Sequence, residues 1–264
     1  MLVRELRASL AFVERNLYCV KRYMAWEIVF LTYSVVNVLT IALIGVASGD
    51  PDRVLFLTIG GVLWGFLGVI FHEVAENLAW ERWEGTIEYT LMAPIRRMTH
   101  LTGICFAGII YGVARTIVIL LVTALFLHIS LHKANVVSAL VILGLSSLSF
   151  IGMGLMGAVL PLLSPEKGAQ AVNIFQSLIL LVSGVYYDVS VLPAWLQPFS
   201  RLSPATYTLS AMRKALLNGS GITDLWREAL FLIAFGALFI PLGFAAFRWA
   251  EKRAKRTGGL SRNG

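Results

Sequence analysis

The chain has 264 residues, 58% of them hydrophobic and 14% charged, with a formal net charge of +7. Soluble domains run nearer about 45–50% apolar and about 25% charged, so the excess apolar surface has to face lipid. Together with a mean hydropathy of +0.77, this argues against a soluble enzyme, a disordered chain or a nucleic-acid binder, and leaves an all-α membrane protein.

The first 25 residues carry Arg4, Glu5, Arg7, Glu14, Arg15, Lys21 and Arg22. No uninterrupted apolar run interrupts these charges, so no cleavable signal peptide is expected. Val3, Leu6, Leu10, Val13, Leu17, Val20 and Met24 recur at alternating spacings of three and four, which predicts one apolar helical face. Such a helix lies in the inner headgroup layer with its arginines near anionic lipid. It serves either as a simple anchor or as an elbow that braces the first span and touches a cytoplasmic partner.

A bilayer core of about 30 Å needs roughly 20 apolar residues in helical form. Six stretches meet that need, at residues 28–49, 54–76, 101–127, 136–163, 169–187 and 229–247. With the N-terminus inside, 15 of the 22 lysines and arginines fall on the inner side and six on the outer side, Arg115 being the remaining one. The positive-inside rule then puts both termini in the cytoplasm, with residues 250–264 as a basic cytoplasmic tail. Cys19 and Cys105 are too few for a disulfide framework and read as free thiols.

Four connections and one intramembrane charge carry further information. Between the second and third spans, Trp80, Trp83, Ile87 and Leu91 fall on one helical face and Glu81, Glu84 and Glu88 on a neighbouring one. This predicts a short amphipathic cytoplasmic helix, interrupted at Gly85 by a kink or a close backbone approach; the alternative is an ordinary solvated loop. Between the fourth and fifth spans, Ser164-Pro165-Glu166-Lys167-Gly168 reads as a helix start with Ser164 as N-cap, either a tight inner turn or a second contact point. Residues 188–228 join the last two spans on the outer side. Their mixture of Pro193, Trp195, Pro198, Pro204 and Tyr207 with apolar residues suits short outer or re-entrant helices. Lys133 and two nearby histidines, His128 and His132, occupy the remaining outer turn without a third metal ligand. Arg115 lies deep in the third span, where an arginine costs about 2.5–3.5 kcal/mol and faces an interior or wet cavity. It serves an anionic substrate group or a subunit interface, or else finds an internal partner such as a carbonyl or Glu73 through water. Small residues at Gly144, Ser146, Ser147, Ser149, Gly152, Gly154 and Gly157 in the fourth span permit close helix packing.

Catalytic constellations and a phosphate-binding G-x-x-x-x-G-K-[ST] loop are missing from the sequence. An ion-coupled carrier would want carboxylates nearer the midplane. A proton-coupled carrier or a non-transport membrane scaffold is the alternative of another class.

Two segments resemble a known family. Glu81-Arg82, Gly85-Thr86 and Glu88, followed by Leu91 and Pro94, are similar to the E-R-x-x-G-T-x-E…L…P motif of type-two ATP-binding-cassette (ABC) export permeases. Ser183-Gly184-Val185-Tyr186-Tyr187, then Leu192-Pro193-x-Trp195-Leu196 and Ser203-Pro204-x-Thr206-Tyr207, resemble that family's fifth-span and outer-loop signature. One departure is Asp188, where the family often carries a proline.

The resemblance implies a transmembrane subunit without ATPase activity of its own. It would pair with a second copy of itself or a homologous permease, and with separate nucleotide-binding ATPase subunits that hold ATP and magnesium; the chain itself would bind no cofactor. Glu81, Glu84, Gly85, Thr86 and Glu88 would fall on the coupling helix, and Ser164, Pro165, Glu166 and Lys167 at a minor coupling contact. The N-terminal helix would be the interface helix. Tyr186, Tyr187, Asp188, Pro193, Trp195, Pro204 and Tyr207 would form the outer gate. The substrate expected is a hydrophobic or amphipathic small molecule or lipid, with a polysaccharide or lipid-linked glycan as the alternative. A prokaryotic inner (plasma) membrane is the expected location.

Overall fold

The computed structural model describes residues 2–93, 95–128, 134–163 and 165–256. Within them the regular elements are all helical. In order they are α1 (Leu2–Arg22), α2 (Met24–Ala47), α3 (Pro51–Trp83), α4 (Ile87–Met92), α5 (Arg97–Phe126), α6 (Val136–Gly157), α7 (Val159–Leu163), α8 (Pro165–Ser183), α9 (Gln197–Arg201), α10 (Pro204–Leu217) and α11 (Trp226–Arg256).

Among the described residues, five helices are long and apolar enough to cross a membrane: Met24–Ala47, Pro51–Val74, Met98–Phe126, Val136–Gly157 and Trp226–Ala254. The apolar part of α8, Gln170–Ser183, is shorter. The stretch expected to run to residue 187 stops at Ser183, because Gly184 turns left-handed at φ 68° and ends the helix. The fourth expected span is likewise not one helix. It breaks at Ala158 into α6 and α7, where Pro161 has no N–H to give to the carbonyl of Gly157. By contrast α11 continues through Pro241.

α3 and α6 form the core, and α2, α5 and α11 leave most of their apolar surface open, as suits helices that face lipid. Phe66, Leu67, Ile70 and Phe71 of α3 are fully buried against Ile142, Phe150 and Leu155 of α6. The small residues of α6 bring it close to α11. A Cβ on Gly152 would sit 2.5 Å from the carbonyl carbon of Phe239, and one on Gly243 would sit 2.7 Å from Gly152 O. Ser149 Oγ donates across the same contact to Leu232 O at 2.8 Å. Packing of this kind is what holds helices together in lipid, where the hydrophobic effect between spans is weak.

The main packing partner of α1 is α5, and not the first span that the elbow reading would have it brace. The two helices pack so closely that a Cβ on Gly103 would lie 2.6 Å from Phe12 Cβ and 2.7 Å from Ser9 O. Val13 and Asn16 are buried in this contact, whereas Leu6, Leu10, Leu17 and Met24 of the apolar stripe stay exposed.

Candidate functional site

α3 is a single 33-residue helix, about 50 Å long at 1.5 Å per residue. Its two ends carry the polar contacts that the sequence motifs point to.

At the C-terminal end of α3, Glu81 turns inward. It is 3% exposed, accepts from Arg15 of α1 at 2.6 Å, and lies 3.1 Å from His100 Nε2 of α5. Burial opposes the charge on Glu81, but the His100 and Arg15 contacts outweigh it and hold the carboxyl below its usual range. Its Oε2 has no hydrogen-bond partner among the described residues. Next to it the ring of Phe12 packs 4.6 Å from that of His100. Glu5 accepts a bond from Thr99 and another from the Arg96 backbone N–H at 3.4 Å. The Thr99 hydroxyl is the largest cause holding the Glu5 carboxyl below its usual range. Three helices, α1, α3 and α5, therefore meet in one polar cluster.

Past this cluster the chain reverses. α3 stops at Trp83, Gly85 takes φ 74°, and Thr86 Oγ1 donates back to Glu81 O at 3.2 Å before α4 begins. The short helix expected to carry Glu81, Glu84 and Glu88, with an interruption at Gly85, is in fact divided between α3 and α4, because Gly85 is left-handed and ends the run. Glu84 is exposed at the turn, and around it Trp80 (54%), Tyr89 (74%) and Met92 (73%) also face outward. The side chain of Glu88 lies outside the described set. So does all of Ser164, and so do the side chains of Pro165, Glu166 and Lys167, whose backbone starts α8.

Arg115 finds partners inside the chain. Its guanidinium donates to Tyr111 Oη at 2.7 Å, Phe30 O at 2.8 Å and Ser34 Oγ at 2.8 Å, and Tyr111 passes its own proton bond to Glu27 at 2.5 Å. Of the alternatives left open by the sequence, this is the internal one, with Phe30 O as the carbonyl and Glu27 in place of Glu73. Glu27 sits just before the first apolar stretch, which hides it from a hydropathy reading.

The N-terminal end of α3 meets the segment after α8. Asp188 accepts from the Ser190 N–H at 2.9 Å and caps a short 3-10 turn at Val189–Val191; that bond holds its carboxyl below the usual range. Tyr187 Oη donates to Leu181 O, and Tyr207 Oη donates to Arg201 O at 3.0 Å. The Tyr207 ring stacks on Phe231 of α11 at 4.6 Å. Pro204 is buried at the start of α10, whereas Trp195 and Pro193 are exposed, and Tyr186 is half-buried against the core. The gate residues expected from the sequence thus cluster at one end, but some face inward and others outward.

One residue at this end has no sequence motif. Arg213 of α10 donates to Gly184 O at 3.1 Å and Val185 O at 2.7 Å, and its guanidinium carbon lies 3.3 Å from the centre of the Phe56 ring. Burial pulls its pKa down to about 10, so it stays charged at neutral pH. The only signals in the sequence were Gly60 and Gly184, the two glycines that let the backbone come this close.

Comparison with known proteins agrees with these features. Residues 11–217 match the family described as ABC-2 type transporter. The chain is 26% identical over 186 residues to the linearmycin resistance permease protein LnrN of Bacillus subtilis (strain 168), covering 70% of this chain and 46% of that one. It is 25% identical over 181 residues to the probable multidrug ABC transporter permease YbhS of Escherichia coli (strain K12), covering 69% and 47%. The inner membrane transport permease YadH of Escherichia coli (strain K12) is 23% identical over 203 residues, covering 73% and 77%. The chain thus spans about half the length of the first two relatives. With a family match over most of its residues and five membrane-length apolar helices, the chain is an integral membrane protein that belongs to the ABC-2 type transporter family.

Proposed function

We propose that the chain is the membrane-spanning subunit of an ATP-driven exporter, moving a hydrophobic or amphipathic small molecule or lipid outward. The observation that carries this reading is α3, one unbroken helix that ends in an exposed turn at Glu84. A rigid rod of this kind passes a push at one end to the other. A partner that contacts the turn differently in its two nucleotide states would shift the equilibrium of the whole bundle.

In this reading the end of the bundle that holds α1 is cytoplasmic, and both termini lie there, in a prokaryotic inner membrane. Residues 1–25 form the interface helix, residues 26–249 the transmembrane unit and residues 250–264 the tail. α8, about 28 Å long at 1.5 Å per residue, completes six crossings. Glu84, Gly85, Thr86 and α4 with Glu88 dock a separate ATPase that holds ATP and magnesium, and the segment with Ser164, Pro165, Glu166 and Lys167 gives it a second foothold. Glu81, being buried, acts through Arg15 and His100 instead of touching the partner. Arg115 ties α2 to α5 as an internal strut. The exposed surfaces of α1, α2 and α5 suit lipid and a second copy of the chain or a homologous permease. Names of two relatives, one for resistance to linearmycin and one for multidrug transport, support a small amphipathic substrate.

Affinity purification from native membranes tests the reading. It should bring down a P-loop ATPase, and Glu84→Lys should cut its recovery at least about tenfold (about 1.4 kcal/mol) while leaving the permease folded. Recovery of the permease alone, in both wild type and variant, would count against it.

A further inference from the structure

We propose that Arg213 is a latch: it holds the far ends of α3 and α8 against α10, and it must let go before that end of the bundle can open. The inference rests on the transporter reading, and its test separates the two.

The chemistry starts with the end of α8. A helix leaves its last carbonyls without intrahelical partners and its C-terminus carries partial negative charge. Here Ser183 is the last helical residue and Gly184 follows in the left-handed conformation. The Gly184 and Val185 carbonyls point to Arg213, whose two terminal nitrogens take one each. A planar fork with five N–H groups suits this double contact, and a lysine does not.

The third partner is α3. Phe56 offers its ring face to the guanidinium, a favourable placement for a cation. One turn on, Gly60 lets Val185 O come so near that a Cβ there would lie 2.1 Å from it. A single side chain therefore joins three elements, which also pack together through Ile59, Val185, Leu209 and Met212 in the core. A further polar link, from the last residue of α8 to the residue before α10, is Ser183 Oγ to Ser203 Oγ at 2.7 Å.

α10 itself is firmly placed. Lys214 pairs with Glu228 of α11 at 2.5 Å, and the Asn135 N–H at the start of α6 donates to Ala215 O at 2.9 Å. Two neighbouring residues of α10 thus take different partners: Lys214 fixes the helix to α11, and Arg213 reaches across to parts that have to move. The Arg213 Nε is buried with no hydrogen-bond partner among the described residues, so the latch is not fully satisfied when closed. Opening lets water complete the shell of the guanidinium and of both carbonyls, which keeps the contact reversible.

The test uses Val185, which is 2% exposed, as a reporter. Val185→Cys is built with Cys19→Ser, leaving Cys105 buried, and the permease is reconstituted with its ATPase in vesicles. A membrane-impermeant maleimide then reads how often the far end opens. With Arg213 present, labelling is slow and rises with ATP. Arg213→Ala should speed labelling without ATP at least about tenfold, a shift of about 1.4 kcal/mol. Arg213→Lys, able to reach one carbonyl, should fall between. Gly60→Ala, which keeps the arginine and displaces Val185 O, should also speed labelling. An Ile142→Cys reporter in the core should stay unlabelled in each, which excludes general unfolding.

Unchanged labelling in Arg213→Ala and Gly60→Ala, with the ATP response of the parent intact, overturns the latch and leaves the transporter reading standing. Faster labelling in both variants, with no ATP response in the parent, supports the latch and overturns the transporter reading.

Discussion

The two ends of α3 are tied down by different chemistry. At its C-terminal end a buried carboxylate, Glu81, sits between Arg15 and His100. At its N-terminal end a guanidinium, Arg213, sits on two backbone carbonyls and an aromatic face. The first tie is between side chains on α1, α3 and α5, and it depends on the opposite charges of Glu81 and Arg15. The second depends on where the backbone of residues 184–185 lies, and it breaks when that backbone moves. The first is suited to keeping helices together and the second to sensing whether a segment is in place.

The largest expected effect is from Arg213→Ala. Hydrogen bonds to charged groups are worth about 1.5–3 kcal/mol each, so losing two puts the change at about 3 kcal/mol or more. Amide hydrogen exchange should rise at residues 184–192 and stay unchanged at residues 96–103. A rise at both would mean that the two ends are not independently tied.

Glu81→Gln comes next. It keeps a hydrogen-bond acceptor for His100 but removes the charge opposite Arg15, with a loss of about 1.5–3 kcal/mol. Exchange should rise along α1 with residues 184–192 unaffected, the mirror image of the first variant.

Acid should separate the ends without mutation. The carboxyl groups of Glu81 and Glu5 are both held below their ordinary value of 4.5. A depressed folded pKa gives stability that is full above the ordinary value and is lost as the pH falls through the folded one. Protection of α1 should therefore decline as the pH is lowered below about 4.5. Asp188 shares the sign; its protonation loosens the turn it caps at Ser190 and removes a favourable charge near Arg213, but breaks none of the Arg213 hydrogen bonds. The Arg213 contacts should persist, which exchange at residues 184–185 would show.

The smallest effects are at half-buried Tyr207 and exposed Glu84. Tyr207→Phe loses one bond to Arg201 O and should cost about 0.5–1.5 kcal/mol. Glu84→Ala should change thermal stability in detergent by no more than about 0.5 kcal/mol, so any loss of ATPase binding in that variant reports on docking and not on folding.

Much of this arrangement was legible in the sequence, and the limits have physical causes. The apolar runs coincide with the five membrane-length helices, because length and hydropathy are local properties. The ends of two of the six expected stretches differ: the helix stop before Gly184 and the break at Ala158 depend on backbone geometry inside apolar stretches, where hydropathy is blind. The spacing shows Gly85 as an interruption, but not its left-handed backbone, which ends the run after α3 and leaves Glu81 on the inner face of α3 and Glu84 at the exposed turn. Glu81 could not be separated from Glu84 because its partner Arg15 lies far away along the chain. Arg115 stood out as a lone charge in an apolar run, whereas Arg213 did not, since a basic residue near the end of a polar-flanked helix looks ordinary. What distinguishes Arg213 is a contact between segments distant in sequence, which no spacing pattern records.

The central claim is that ATP in a partner drives transport through this chain. The direct measurement is uptake of a fluorescent amphipathic dye into inverted membrane vesicles holding the permease and its ATPase. The account predicts uptake that requires ATP, survives collapse of the proton gradient, and is lost in Glu84→Lys. Uptake that persists without ATP and disappears when the proton gradient is dissipated would contradict it and favour a proton-coupled carrier.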